Sequence, residues 1–302
     1  MRSTNVDLRK LHHALVLAET GGFTAAAARL NLTQSALSRS IQALEQQLGL
    51  VIFERGRNGA SPTIDGRDFL ARARDVYGAT LHLERFATDL ARGIGGEVTL
   101  GLGTSVSHAV LPRLVARVAA EHPRLSLIVR SEPAAALIDA LASGRCDLVY
   151  VADTRAIDRN RVSAQAVMPA RPGILVRAGH PLLAQGALRL ADLADSTLVS
   201  GPVDVDEIRA AFGPGCRLVI CDNPVLLRDL VLRGDALWLT QTFVAADDLN
   251  SGRMAMLEVA DVHARSRYTI YELAMRHTRL SRSADLVAGL VREELDELSG
   301  KL

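Results

Sequence analysis

The sequence predicts an α/β chain: a small helical head with a β-hairpin, a long connecting helix, then a larger region of doubly wound sheets. Three observations carry this prediction. Residues 24–48 hold two short helical patterns joined by a tight turn. Residues 69–90 hold an unbroken heptad pattern. From Glu97 onward, short apolar runs alternate with helical stretches, the texture of strands linked by crossover helices.

The head comes first. An alanine-rich helix, Thr24–Leu30, is followed by the turn Asn31-Leu32-Thr33 and a second helix, Gln34–Leu48. Leu37, Ile41, Leu44 and Leu48 recur at steps of four, three and four, which sets them on one buried face. Gln34, Ser35, Ser38, Arg39 and Gln42 lie off that face. Gln pairs bidentately with adenine and Arg with guanine, while Ser serves either base. Thr33 is a sound N-cap and a phosphate donor, although Ala36 stands where a capping box wants Glu or Gln. Two short helices with a polar edge opening the second read as a helix-turn-helix for the DNA major groove.

After Gly49 the apolar run Leu50–Phe53 and the segment Glu54-Arg55-Gly56-Arg57-Asn58-Gly59 suggest a two-stranded wing, offering Arg55 and Arg57 to phosphates. Pro62 and Thr63 announce the next helix. Residues 1–95 carry 12 Lys/Arg against 9 Asp/Glu, a net of +3; with 35 against 34 over the chain, the remainder carries −2. That bias has the sign nucleic acid wants, but it is small.

In the long helix Phe69, Ala73, Val76, Thr80, Leu83, Ala87 and Leu90 alternate steps of four and three, a seam that wants a partner helix. Its large members are Phe, Val and Leu, its small ones Ala and Thr, so the pairing is expected to be close. Gly93-Ile94-Gly95-Gly96 ends the helix as a flexible joint.

Beyond it, strands are expected at Val98–Leu102, Leu125–Arg130, Leu148–Val151, Ile174–Arg177, Leu198–Ser200, Leu218–Cys221, Ala236–Leu239 and Tyr268–Ala274. Helices are expected at Leu111–Glu121, Ala134–Ser143, Val225–Arg233 and Ser283–Leu298. Two hundred residues of this texture suit two small lobes. A small molecule would lie at the carboxyl ends of the strands, where helix N-termini supply N–H donors. Thr104 and Ser105 stand there after the first strand. The loops Ser131-Glu132-Pro133-Ala134 and Ser200-Gly201-Pro202-Val203 follow later strands, and so does Thr240. Taken singly, these hydroxyls also serve as helix caps.

The string Leu11–Phe53 resembles the N-terminal signature of LysR-type transcriptional regulators. The residues that carry the likeness are Gly22-Phe23-Thr24, Ala26-Ala27 with Leu30, and Thr33-Gln34-Ser35-Ala36-Leu37-Ser38. Ile41, Leu44-Glu45, Leu48-Gly49, Phe53, Arg55, Thr63 and Gly66 continue it in order and spacing. Gly22 stands where Ser is usual, Ser61 where Leu often precedes the Thr, and Asp65 where Ala is common.

The resemblance implies a winged helix-turn-helix at 1–62, a dimerisation helix and hinge at 63–95, and an effector-binding domain at 96–302. That domain would be a two-lobed, periplasmic-binding-protein-like unit, with lobe one at 97–163 plus 270–302 and lobe two at 164–269. It implies a homodimer or homotetramer on a palindromic double-stranded operator, a small-molecule effector, and contact with RNA polymerase. Thr33, Gln34, Ser35, Ser38, Arg39, Gln42, Arg55 and Arg57 would meet DNA. Thr104, Ser105, Ala134, Ser200, Gly201, Pro202 and Thr240 would meet effector. Ala134 replaces a hydroxyl frequent in relatives that bind carboxylates. Effector closure between the lobes would alter DNA bending.

Other chemistry is thin. Gly101-Leu102-Gly103 lacks a third glycine, so no dinucleotide fingerprint is present, and no His-Glu-x-x-His occurs. Adjacent His12 and His13 point to different sides of a helix, and neither metal nor cofactor is expected. His108 reads as structural. Cys146, Cys216 and Cys221 lack CxxC spacing and read as small buried residues rather than a redox pair. The start Met-Arg-Ser-Thr-Asn-Val-Asp has no apolar core, and no run of eighteen apolar residues exists, so a cytoplasmic protein without a membrane span is expected. A sensor whose head docks protein, or an enzyme on the doubly wound region, are the other classes; no catalytic constellation supports the latter.

Overall fold

A computed structural model describes residues 6–56, 59–92, 95–152, 157–260, 268–276 and 278–300. The chain divides into two compact units: Met1–Ala87 with Ala142–Arg145, and Thr88–Leu141 with Cys146–Leu302.

In the first unit α1 (Leu8–Thr20) starts under the Asp7 cap and stops at Gly21, whose φ of 67° only glycine adopts freely. α2 (Phe23–Arg29) and α3 (Gln34–Leu48) follow, joined through Asn31 at φ 54°, a left-handed turn that asparagine tolerates. α3 ends at Gly49 in the same left-handed conformation. Leu37, Ile41 and Leu44 of α3 are buried with Leu15 and Leu17 of α1 and Ala26 and Ala27 of α2, so the three helices share one core. The wing is β1 (Phe53–Gly56) antiparallel to β2 (Gly59–Pro62), and α4 (Ile64–Arg92) leaves from its end.

The wing begins later than its apolar run suggests: of Leu50–Phe53 only Phe53 belongs to β1. The amides of Ile52 and Phe53 instead donate to the Glu45 carboxylate, at 2.7 and 3.0 Å. Thr63 caps α4 through Gly66 N–H at 2.8 Å, and its hydroxyl donates to Val51 O at 2.8 Å. A side chain at Gly66 would overlap the Ile52 carbonyl, which explains a glycine at that signature position. One at Gly59, where φ is 121°, would overlap the Gly21 carbonyl.

The second unit holds two five-stranded sheets. β3 (Glu97–Leu102), α5 (Thr104–Glu121), β4 (Ser126–Ser131), α6 (Ala134–Ala142), β5 (Leu148–Val151) and β6 (Val162–Ala170) come first. β7 (Pro172–Arg177), β8 (Thr197–Ser200), α7 (Val205–Phe212), β9 (Arg217–Ile220), α8 (Pro224–Arg233), β10 (Leu237–Gln241), α9 (Ala246–Asn250) and β11 (Met254–Met256) build the second lobe. β12 (Tyr268–Met275) and α10 (Arg282–Gly300) return to the first. The strand orders are β4-β3-β5-β12-β6 and β11-β7-β10-β8-β9. In each, four strands share one direction and a single strand, β12 in the first sheet and β7 in the second, runs against them.

The expected crossing at residue 163 is corrected. β6 pairs with β12 from Val162 to Ala170, so the chain leaves lobe one between Ala170 and Pro172. β12 is fastened by a buried polar group: Tyr150 donates to Glu272 at 2.7 Å, and Arg292 of α10 donates to the same oxygen at 2.8 Å. Burial and the Glu272 charge hold the Tyr150 phenol well above its ordinary pKa, hence protonated. α5 also starts at Thr104 instead of Leu111, and Pro112 is carried within it.

Candidate nucleic-acid interface and effector crevice

The edge of α3 away from its core is open. Thr33, Gln34, Ser35, Arg39 and Gln42 are exposed and Ser38 is half-buried. Thr33 adopts extended backbone and its hydroxyl accepts from Ala36 N–H at 3.2 Å, which fixes where the helix starts. No acid lies in the first turn, so the positive end of the helix dipole is not neutralised there. Among the described residues Arg39 forms no ion pair. The result is a row of donors and acceptors on a rigid helix, aimed at solvent, with a positive end: a form suited to base edges flanked by phosphate. Of the wing residues, Arg57 lies outside the described residues, as does the side chain of Arg55, whose backbone belongs to β1.

Two contacts that the sequence reading did not find hold this edge in place. His13 of α1 meets Ser40, on the inner side of α3, at 2.7 Å between Nδ1 and Oγ. His12 stacks on Tyr77 of α4, ring centroids 4.6 Å apart, and so joins α4 to the head. Burial is the largest influence on both histidines and lowers their pKa values. The histidine doublet was visible; only the fold reveals its partners.

The seam on α4 divides. Ala73 is buried in the head's own core and Phe69 packs against it, so these two are not on a free face. Val76 and Leu83 are 51% and 65% exposed, Ala87 is exposed and Thr80 half-buried. The side chain of Leu90 is outside the described residues, as are Gly93 and Ile94.

In the second unit Thr104 and Ser105 open α5 directly after β3 and are half-buried. The cap residue is Gly103, which provides no side-chain acceptor, so the first amides of α5 lack a side-chain cap. Ala134 is the first residue of α6. Gly201 and Thr240 are half-buried and Pro202 is exposed, at the carboxyl ends of β8 and β10. Ser200 is buried, and its hydroxyl donates to Leu239 O at 3.1 Å across the sheet, so it stitches β8 to β10.

His108 lies one turn beyond Thr104, on the same side of α5. Burial pushes its pKa down, Arg228 pushes the same way and Asp248 opposes. Thr242 was not foreseen; it is buried, and its hydroxyl has no partner among the described residues. α5 is a wall common to both lobes, since Val106, Val110 and Leu114 share one buried cluster with Trp238, Phe243 and Val244. Arg113 adds an ion pair to Asp247 at 2.7 Å.

The three cysteines form no disulfide. Cys216 and Cys221 flank extended β9, about 17 Å apart at roughly 3.3 Å per residue, far beyond the reach of a disulfide. Among the described residues no group of three or more His, Cys, Asp or Glu is placed to hold a metal ion, and no helix is long and apolar enough to cross a membrane.

An exposed reading helix with a wing, followed by a two-lobed α/β unit, defines a DNA-binding regulator with a ligand-responsive domain. Residues 8–67 match the family of bacterial regulatory helix-turn-helix proteins of the LysR type, and residues 91–296 match the LysR substrate-binding domain. The chain belongs to the LysR family of transcriptional regulators.

It is 35% identical to the SDS degradation transcriptional activation protein of a Pseudomonas strain, over 95% of this chain and 96% of that one. Its fold is similar to full-length LysG of Corynebacterium glutamicum with bound effector arginine, at a TM-score of 0.63 and 20% identity, over 97% and 99% of the two chains. It is also similar to full-length CbnR in complex with target DNA, at a TM-score of 0.56 and 20% identity, over 97% and 100%.

Proposed function

We propose that Gln34, Ser35, Ser38, Arg39 and Gln42 read base edges in the major groove, with Thr33 and the wing on phosphates. The observation that carries this is the solvent-facing polar edge of α3, with Arg39 outside any described ion pair. Two copies pair through the free part of α4, Val76, Thr80, Leu83 and Ala87, and so hold two heads over a two-fold operator. Contacts between effector domains join such dimers into a tetramer, with RNA polymerase as the downstream partner. The setting is the cytoplasm, and no catalytic step belongs to the reading.

The effector lies where Thr104, Ser105, Ala134, Gly201, Pro202 and Thr240 stand at strand ends, with the uncapped start of α5 as a donor set. Because α5 is packed into both lobes, the effector acts by a small tilt of that wall and not by wide closure. Replacing Arg39 with Ala tests the reading. Its footprint on the region flanking its own gene is expected to lose discrimination between operator and random duplex, by about 1–3 kcal/mol at the base pair Arg39 contacts. An unchanged footprint removes Arg39 from the reading set.

A further inference from the structure

A second ligand-sized space lies at the opposite end of the lobe-two strands from the Ser200–Pro202 loop. It is a groove of about 460 Å³ between α8 and the edge strand β9, within the size range of small-molecule sites. Its floor is apolar and its end is cationic. Val199 and Val219 are register partners on adjacent parallel strands, and Leu230 of α8 forms the facing wall. Two residues earlier on the same strands, hence on the same face, Thr197 and Arg217 are partners.

Arg217 is held in position by neutral groups only. Its Nε donates to Thr197 Oγ1 at 3.1 Å and one Nη to the Asp195 carbonyl at 2.9 Å. It makes no ion pair among the described residues. The groove's own carboxylate, Asp235, is already taken by Arg177 at 2.6 Å. His180, 5% exposed, accepts from Leu182 N–H through Nδ1, so its ring proton sits on Nε2, toward the Asp235 carbonyl at 3.3 Å. The wall is thereby fixed, and the guanidinium keeps an unused edge about two residues' rise from the exposed Val219.

We propose that this groove binds a small amphiphilic anion, its carboxylate on Arg217 and its hydrocarbon body over the exposed Val219 and Leu230. The site is separate from the crevice at the other strand ends and does not depend on that crevice binding an effector. Neutral fixation of Arg217 makes it a charge-assisted donor to a carboxylate, and covering the exposed Val219 and Leu230 rewards burial of the chain.

Titration calorimetry of octanoate into the full-length chain, with octylamine and octan-1-ol as controls, tests this. Saturable uptake of octanoate is expected, with octylamine at least about tenfold weaker, because only the anion gains the guanidinium contact. Arg217→Gln is expected to weaken octanoate about tenfold or more while leaving octan-1-ol unchanged, and Leu230→Ser to weaken both. Each variant is first matched to the parent in Trp238 fluorescence and unfolding midpoint. Absence of saturable uptake at millimolar octanoate overturns the proposal. So does equal binding by parent and Arg217→Gln, or loss of binding on Thr104→Val in place of Arg217→Gln. A change of oligomeric state on Leu230→Ser, without any octanoate binding to the parent, makes the groove a contact between copies and also overturns it.

Discussion

Replacing Glu45 with Ala should loosen the wing without touching any residue that faces solvent on the reading edge. The carboxylate accepts from Ile52 N–H at 2.7 Å and Phe53 N–H at 3.0 Å, both through the same oxygen. Hydrogen bonds to an ionised acceptor contribute about 1.5–3 kcal/mol each when buried. Here one oxygen serves both amides and the side chain is half-buried, so water recovers part of the loss. A net cost of about 2 kcal/mol follows, or about 8–16 °C in the midpoint of a unit this size. Glu45→Gln keeps an acceptor oxygen and should lose about half as much.

Trp238, the only tryptophan, lies in the other unit, so its fluorescence follows that unit while helical circular dichroism also registers the head. The expected outcome is an early helical transition in Glu45→Ala, an unmoved Trp238 transition, and faster amide exchange at Ile52 and Phe53. A midpoint within about 2 °C of the parent, well under the shift of even 1 kcal/mol, with exchange at those amides unchanged, refutes the reasoning.

Leu83→Asp should weaken self-association about hundredfold or more, since each subunit forfeits burial of one exposed leucine; sedimentation of the full chain over a concentration series measures it, and an unaltered dimer argues against the α4 pairing. Acid should destabilise the head. His12 and His13 lie below their ordinary value of 6.5 in the folded state, mainly from burial, so the unfolded chain takes up their protons first. Stability from these groups is present above about pH 6.5 and is lost as pH falls through the folded values. Urea midpoints of the head near pH 7.5 and 5.5 check the direction, and a rise on acidification contradicts it.

What could be read from residues alone follows how local the determinants are. α3 was legible end to end because a regular apolar stripe, a Thr33 cap and a Gly49 stop all lie within it. α5 was shortened by seven residues because Pro112 looks like a helix start, whereas its backbone fits within the helix. β6 escaped notice since Val162–Ala170 mixes Ser, Gln and Pro into a weak alternation, and its pairing with β12 joins residues about a hundred positions apart. α7, at Val205–Phe212, is a short helix in a polar stretch and was passed over too.

The reading edge was likewise legible, because exposed polar residues on an amphipathic helix declare themselves. The ligand crevice was less so. Whether a hydroxyl faces a ligand or stitches two strands, as Ser200 does, depends on the neighbour across the sheet. The burial of Ala73 within the head shows the same limit, for a heptad carries no label saying which of its turns are already occupied.

That occupancy sets a phase. The first turns of α4 are welded to the reading head, by Leu70 and Ala73 in its core and by Tyr77 against His12. Each residue inserted or deleted just after Tyr77 would swing the outward stripe by about 100° around the helix axis, while a full heptad would nearly restore its bearing. If that stripe pairs two copies as proposed, the distance between half-operators is written into the chain as an angle, and length polymorphism in this stretch would be tolerated only near whole numbers of helical turns.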